Sequence, residues 1–361
     1  MNLSRSPHII TIDETDQTET RIELFLWNTG SQPPNPQYTL SKKIPSSNNT
    51  ATYYNISPYT EEYYRFTTFQ NIYNVYDQAI STNFVVQYVV EKYKTIAGVE
   101  SSAGTESGEF MNGYGYYMEG QNPLNFTTVG LDEGEYFYNF ETGADTSLPQ
   151  YMAGTLDVFL SDSNFFIRYT NSRTGVVTDI PFSTTGVRVF PRVHHTNLAD
   201  GNKTQLMRGS SVRWTATFKP QCEPKYQPVV IDFINKYGSW ARIFFQKAKT
   251  RNITVKSDSY KANPSSLPYS PTAEGQVRNI NTTGQETIKL NTGFVNDGYG
   301  EYLQQLLLSE KINLLDSETS SQYQPVTVQT KSLKKQTGIN DGTINYELTF
   351  DFAFDIINNV I

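Results

Sequence analysis

The C-terminal stretch GTINYELTFDFAFDIINNVI, residues 342–361, decides the fold class that the sequence predicts. In its middle part every second residue is large and apolar, while most residues between them are polar. Side chains two positions apart lie on the same face of an extended chain, so this pattern predicts a half-buried β-strand. We expect one face of the strand to lie in a core, and that face consists of Tyr346, Leu348, Phe350, Phe352 and Phe354.

The last six residues, IINNVI at 356–361, break this alternation. A strand that packs on a core through one face does not account for their apolar side chains. The sequence therefore predicts that these side chains contact a neighbouring subunit. The predicted interface residues are Ile356, Ile357, Val360 and Ile361.

An amphipathic helix is predicted near residues 298–311. Leu303, Leu306 and Leu307 follow the i, i+3, i+4 spacing that places side chains on one face of a helix. Further along, residues 324–357 predict a terminal β-hairpin whose second arm is the aromatic strand. We expect the leucine face of the helix to cover the aromatic face of this hairpin.

The rest of the chain repeats short alternating runs separated by Gly, Pro and Asn, which is typical of β-sheet proteins built from hairpins. The predicted fold is mainly β, a multidomain β-sandwich. Residues 1–121 are expected to form a sandwich of the fibronectin-III or immunoglobulin-like type. Residues 122–221 are expected to form a second β domain, and residues 222–361 a C-terminal β domain that contains the helix. Between residues 257 and 285 the chain is polar and rich in turn-forming residues, which predicts a long loop.

The composition argues against several classes of partner. Charged residues make up 18% of the chain and its net charge is -7, so no basic surface for nucleic acid is expected. No run of about 18 apolar residues occurs and the start lacks the pattern of a signal peptide, so membrane insertion is not expected. With Cys222 as the one cysteine, the chain cannot form an intramolecular disulfide.

The sequence offers little catalytic chemistry. The three histidines are His8, His194 and His195, and the last two would point to opposite faces if residues 187–195 form a strand. Neither a phosphate-binding loop nor a nucleophile elbow is present, so we predict no catalytic, cofactor-binding or metal-ligating residue and no enzyme activity. A glycan hydrolase would need two protected carboxylates, and the sequence does not point to such a pair.

The aromatic content supports two interpretations. Aromatic residues make up 14% of the chain, with 25 Tyr and 21 Phe. Tyrosine is enriched at protein interfaces, which favours a subunit that binds other proteins. Exposed tyrosine rings beside amide side chains can also stack on sugars, which favours a carbohydrate-binding module.

Several stretches, in this order along the chain, resemble virion structural proteins of tailed bacteriophages that infect Bacteroidota and of related marine phages. The resemblance covers most of the chain and is strongest after residue 233. The stretches that carry it are YYNISPY (53–59), GYGYYMEGQNP (113–123), FINKYGSWARIFFQK (233–247), LNTGFVNDGYGEYLQQLLLSEKINLLD (290–316) and INYELTFDFAFDIINNVI (344–361).

The resemblance implies a non-enzymatic structural subunit of a phage tail, similar to distal-tail, baseplate or adaptor proteins. Its implied partners are copies of itself in a symmetric ring and other tail proteins, with no nucleic acid and no cofactor. Its implied location is the tail of the virion, after synthesis in the cytoplasm of the host bacterium. The alternative is a virion protein that recognises host surface glycans through exposed aromatics and the 257–285 segment.

Overall fold

The structure, a computed structural model, describes residues 2–44, 51–65, 75–80, 82–115, 129–139, 153–160, 164–221, 226, 228–263, 268, 275–296, 298–316, 323–334 and 344–356. Within these residues the chain is mainly β, with several sheets and one α-helix. The prediction of a mainly β, multidomain sandwich with one helix is thereby confirmed.

The strands are numbered in chain order. Those before residue 165 are β1 (Asn2–Leu3), β2 (Ile9–Ile12), β3 (Gln17–Trp27), β4 (Tyr38–Lys43), β5 (Thr52–Asn55), β6 (Gln78–Ala79), β7 (Val85–Ile96), β8 (Val99–Met111), β9 (Gly134–Asn139) and β10 (Thr155–Leu160). Those that follow are β11 (Phe165–Asn171), β12 (Val177–Pro181), β13 (Gly186–Pro191), β14 (Asn202–Arg208), β15 (Ser211–Gln221), β16 (Val229–Ile234), β17 (Trp240–Phe245), β18 (Thr250–Lys261), β19 (Val277–Asn291), β20 (Ile312–Asp316), β21 (Gln324–Val328) and β22 (Glu347–Phe352). The α-helix, α1, is Tyr299–Leu307, and short 3-10 turns lie at Ser57–Tyr63, Thr82–Phe84 and His195–Asn197.

The chain forms two compact units. The first contains Met1–Cys222 and Asp232–Arg242, and the second contains Glu223–Ile231 and Ile243–Ile361. The hairpin of β16 and β17 therefore has its tip in the first unit and its base in the second. The finer division between residues 121 and 122 stays a prediction.

The N-terminal part of the first unit is a two-layer sandwich. One layer is a five-stranded sheet in the order β1-β8-β7-β3-β4, and the other contains the β2–β5 pair. Side chains from both layers form one core, including Ile10 from β2, Leu24 from β3, Tyr54 from β5 and Phe110 from β8. Burying each such side chain contributes roughly 1.5–3 kcal/mol, so this core holds the two layers together.

The remainder of the first unit contains a three-stranded sheet, β10-β13-β6, and a five-stranded sheet, β12-β11-β14-β15-β9. Strands β11 and β12 form a hairpin, with Gly175 at φ +70° in its loop. The tip of the β16–β17 hairpin carries a fully buried ion pair. The Arg242 guanidinium donates two hydrogen bonds, of 2.7 and 2.9 Å, to the Asp232 carboxylate.

The second unit is built on a seven-stranded sheet in the order β17-β16-β20-β21-β22-β19-β18. The two predicted arms of the terminal hairpin are present, since β21 and β22 pair antiparallel with Val326 opposite Phe352. Leu303 and Leu306 of α1 are fully buried and Leu307 is partly buried. The packing of the helix on the aromatic face of β22 stays a prediction.

The aromatic face of β22 is buried along most of its length. Tyr346, Leu348 and Phe350 are buried, and Phe352 is partly buried. The core assignment of Phe354 is wrong, because 71% of this residue is exposed. The strand ends at Phe352 and the chain then bends, so the two-residue period no longer determines which side chain faces the core.

Candidate interaction surface

The most exposed β structure of the second unit is the hairpin of β18 and β19. The two strands pair antiparallel from Thr250 opposite Lys289 to Lys261 opposite Val277. The long loop predicted between residues 257 and 285 is therefore wrong at residues 257–261 and 277–285, which belong to these two strands. Alternating Thr, Ser, Asn and Lys make this segment look like a loop, yet each strand finds its hydrogen-bond partners in the other.

Among the described residues, only the base of this hairpin is joined to the rest of the sheet. Strand β22 pairs with β19 from Thr287 to Asn291, and β18 is the edge strand of the sheet. We call residues 253–261 and 277–285 the arm. Within the described part of the chain, one backbone hydrogen bond reaches the arm from outside the hairpin, donated by Ile356 N to Gly284 O at 2.7 Å.

The arm exposes apolar side chains that a solvated hairpin would not need. They are large, and about half of each or more is accessible to solvent; the set comprises Ile253, Val255, Tyr260, Val277 and Ile280. Tyr260 and Ile280 share a face, because Tyr260 lies in register with Arg278 and Ile280 with Asp258. Contiguous exposed apolar groups on a folded protein mark sites of interaction.

The predicted interface residue Ile356 lies against this arm. A Cβ atom at Gly284 would come 3.7 Å from the Ile356 side chain and 3.9 Å from that of Ile253. Val255 is in register with Gly284, so Ile253, Val255 and Ile356 form one exposed group, which we call the arm patch. The other three predicted interface residues, Ile357, Val360 and Ile361, lie outside the described residues.

An ion cluster fixes the base of the hairpin. The buried carboxylate of Asp316 accepts two hydrogen bonds from Lys249 Nζ, at 2.7 and 2.9 Å, and one from Arg251 at 2.9 Å. Arg251 also pairs with Glu286 on the neighbouring strand and lies over the ring of Phe352. These contacts orient the first residues of β18, so the arm extends from a fixed base.

The charge of the hairpin is opposite in sign to that of the whole chain. Strands β18 and β19 contain five basic and two acidic residues, a net charge of +3, whereas the chain carries -7. The basic residues on the arm are Lys256, Lys261 and Arg278, and all three are exposed. A positively charged projection on an acidic protein favours contact with an acidic surface.

The first unit contains a second long exposed strand, and its charge is acidic. In β8, Glu100, Glu106 and Glu109 occur without any basic residue. Glu100 pairs with Arg21 of β3 and Glu106 with Lys92 of β7, so part of this negative charge is neutralised within the chain. The short strand β1 pairs only with Phe110 and Met111, so residues 99–109 form an edge of the described sheet. Val99, at the start of this edge, is 69% exposed.

The histidines are arranged differently from the prediction. Strand β13 ends at Pro191, and the rings of His194 and His195 lie 4.5 Å apart instead of on opposite faces. Tyr76 stacks on His194 and its hydroxyl lies 2.9 Å from Nδ1 of His195. Burial and the neighbouring His195 lower the pKa of His194 below its usual value. No sequence pattern indicates this cluster, because Tyr76 is distant in the chain from the two histidines.

The described residues lack metal-binding clusters and membrane-crossing helices. The described residues contain no group of three or more His, Cys, Asp or Glu side chains that could hold a metal ion. Over the same part of the chain, no helix has the length and apolar character needed to cross a membrane. No protein-family model and no curated protein sequence matches this chain.

Proposed function

We propose that this protein is a non-enzymatic structural subunit of a bacteriophage tail, of the distal-tail, baseplate or adaptor type. In this role it assembles into a symmetric ring of identical copies and contacts other tail proteins. The proposal rests on the resemblance of its sequence to virion structural proteins and on one structural observation, the exposed arm.

The arm supports an assembly role because of its energetics. A two-stranded hairpin is at best marginally stable in water unless another surface covers it. This arm nevertheless exposes Ile253, Val255, Tyr260, Val277 and Ile280. Such a projection is stabilised when a neighbour buries these side chains, so it suits a subunit that works in an assembly.

Mass spectrometry of purified virions tests the proposal. We expect the protein in intact particles, and a copy number that is a multiple of three or six would favour a ring over a rare tip protein. Electron microscopy with an antibody against the protein should place it on the tail. Its absence from purified particles would overturn the proposal.

Recognition of host surface glycans is the second candidate function, and Tyr260 favours it. This ring is 46% exposed on the arm, on the same face as the Asp258 carboxylate, to which the Asn281 amide donates a hydrogen bond. A ring beside a carboxylate and an amide can stack on a sugar and bind its hydroxyls. Glycan arrays with the wild type and with Tyr260→Ala test this function, and equal signals from both proteins would argue against it.

A further inference from the structure

We propose that the basic edge strand β18 of one copy pairs with the acidic edge of β8 on a second copy. This inference rests on the proposed function, because it identifies the contact that would join identical subunits. The occupant of the arm is therefore another molecule of the same chain, and its sheet continues into the sheet of the neighbour.

The backbone supplies the first reason. Strand β18 ends the seven-stranded sheet, so in the described part of the second unit the outer edge of its arm residues, 253–261, has no neighbouring strand. Residues 99–109 of β8 likewise have no neighbouring strand on their outer edge in the described part of the first unit. Unpaired edges of this length are templates for pairing with another chain.

Charge decides which edges pair. Pairing β18 with β18 of a second copy would bring Lys256 and Lys261 near the same residues of the other molecule, and lysines on an edge strand oppose such pairing. Pairing β18 with β8 instead places the arm, which has three basic residues and one acidic residue, beside a strand that has three Glu and no basic residue. Complementary charge also determines which surface binds and disfavours contact with surfaces of like charge.

Apolar contact supplies the third reason. The arm patch, Ile253, Val255 and Ile356, lies on one face of the hairpin near β18 and is more than half exposed. Val99 gives the β8 edge an exposed apolar group of its own. Strand pairing between copies would bring such groups out of water along with the backbone.

The proposed contact uses two different surfaces of the same protein. A heterologous contact of this kind closes into a ring when the rotation between copies allows it, and otherwise continues as a filament. Each copy uses one arm and one β8 edge, so every copy can bind two neighbours. This is the connectivity that a ring of identical subunits needs.

Charge reversal on either surface tests the contact. Variant A is Lys256→Glu with Lys261→Glu, and variant B is Glu100→Lys with Glu109→Lys. Each alone places like charges on both sides of the contact, so we expect sedimentation to show monomers and an apparent Kd raised by about 100-fold. The control is Lys43→Glu with Lys203→Glu, which changes two exposed lysines elsewhere by the same amount and should assemble as the wild type does.

Mixing A with B gives the decisive measurement. The acidic arm of A then faces the basic β8 edge of B, and the basic arm of B faces the acidic edge of A, so assembly should return. The protein with all four substitutions should assemble alone. Circular dichroism of A and B confirms that both are folded, and an unfolded variant is replaced by Lys256→Gln with Lys261→Gln or by Glu100→Gln with Glu109→Gln.

Three results would overturn the inference. They are a wild type that stays monomeric up to about 50 μM, variants A and B that both assemble normally, or an A and B mixture that stays monomeric. None of these removes the protein from virions, so the mass spectrometry described above distinguishes a wrong contact from a wrong function.

Discussion

Two buried acidic residues of the first unit are in different electrostatic environments. The carboxylate of Asp232 is neutralised by two hydrogen bonds from Arg242, and both residues are fully buried. The carboxyl of Asp157 is buried as well, and burial raises its pKa to about 6, against smaller opposing effects of Ser239 and Arg192. Ionisation of Asp157 therefore lowers the stability of the fold. Removing either partner of the Asp232–Arg242 pair would instead leave an uncompensated buried charge.

The raised pKa makes stability depend on pH in a defined direction. The folded state holds a proton on Asp157 up to about pH 6, while the unfolded chain releases it near pH 3.8. The stability that the protonated carboxyl contributes is fully present below pH 3.8 and is lost as the pH rises through about 6. The shift corresponds to about 3 kcal/mol.

Replacing Asp157 with Asn should remove this dependence. As the pH rises from about 4 to about 8, the wild type should lose about 3 kcal/mol of its free energy of unfolding relative to the variant. Urea unfolding across this range measures the difference. A difference that stays constant with pH would contradict the prediction.

At the scale of elements, β22 shows how far an alternating pattern can be trusted. The period of two places Phe350, Phe352 and Phe354 on one face, but their burial decreases steadily towards the end of the strand. Phe350 contacts Phe245 edge-on, with ring centroids 6.0 Å apart. Phe352 lies against the Arg251 guanidinium, and Phe354 is beyond the last paired residue.

Alanine substitutions should follow this order. Phe350→Ala is expected to cost about 3–5 kcal/mol, because it opens a cavity in a closed core. Phe352→Ala should cost less, and Phe354→Ala should lie within about 0.5 kcal/mol of the wild type. Thermal and urea unfolding of the three variants measure the series. Equal losses at Phe350 and Phe354 would show that the end of the strand is buried after all.

The arm should be separable from the fold that carries it. Replacing residues 256–283 with Asn-Gly joins Val255 to Gly284, which already face each other in register, through a two-residue hairpin turn. Almost all the side chains removed from the described strands are exposed. We expect a folded protein that melts within about 4 °C of the wild type and no longer self-associates. Loss of folding would mean that the arm supports the core.

At the scale of the whole molecule, local sequence patterns predicted the features that residues close together in the chain determine. The class of the fold, the terminal hairpin and the helix near residues 298–311 all follow from periodicity and turn residues. Turn residues act in the same local way at Gly238, where φ is +81° and a Cβ atom would meet the backbone of Asn112 at 2.9 Å.

What the sequence did not predict depends on contacts between distant residues. The arm resembles a loop because both of its faces are exposed and its apolar side chains are interspersed with Ser, Asn and Lys, so no buried face marks it. The approach of His194 and His195 requires the strand to end at Pro191, and Tyr76 comes from far away in the chain. Ile356 was predicted as an interface residue, but its position beside Gly284 could not be read from spacing.

The dependence of assembly on salt gives a prediction for the whole molecule. If oppositely charged edges hold the copies together, added NaCl should weaken the assembly, since the screening length falls from about 30 Å at 0.01 M to about 3 Å at 1 M. Apolar contact alone would respond in the opposite direction to sulfate, which strengthens the burial of apolar surface. We expect the apparent Kd, measured by sedimentation, to rise with NaCl and with sulfate at matched ionic strength. The protein with all four charge reversals should show the same trend, because its opposite charges are exchanged and not removed. Assembly that becomes stronger in sulfate would assign the contact to the arm patch instead of to the charged edges.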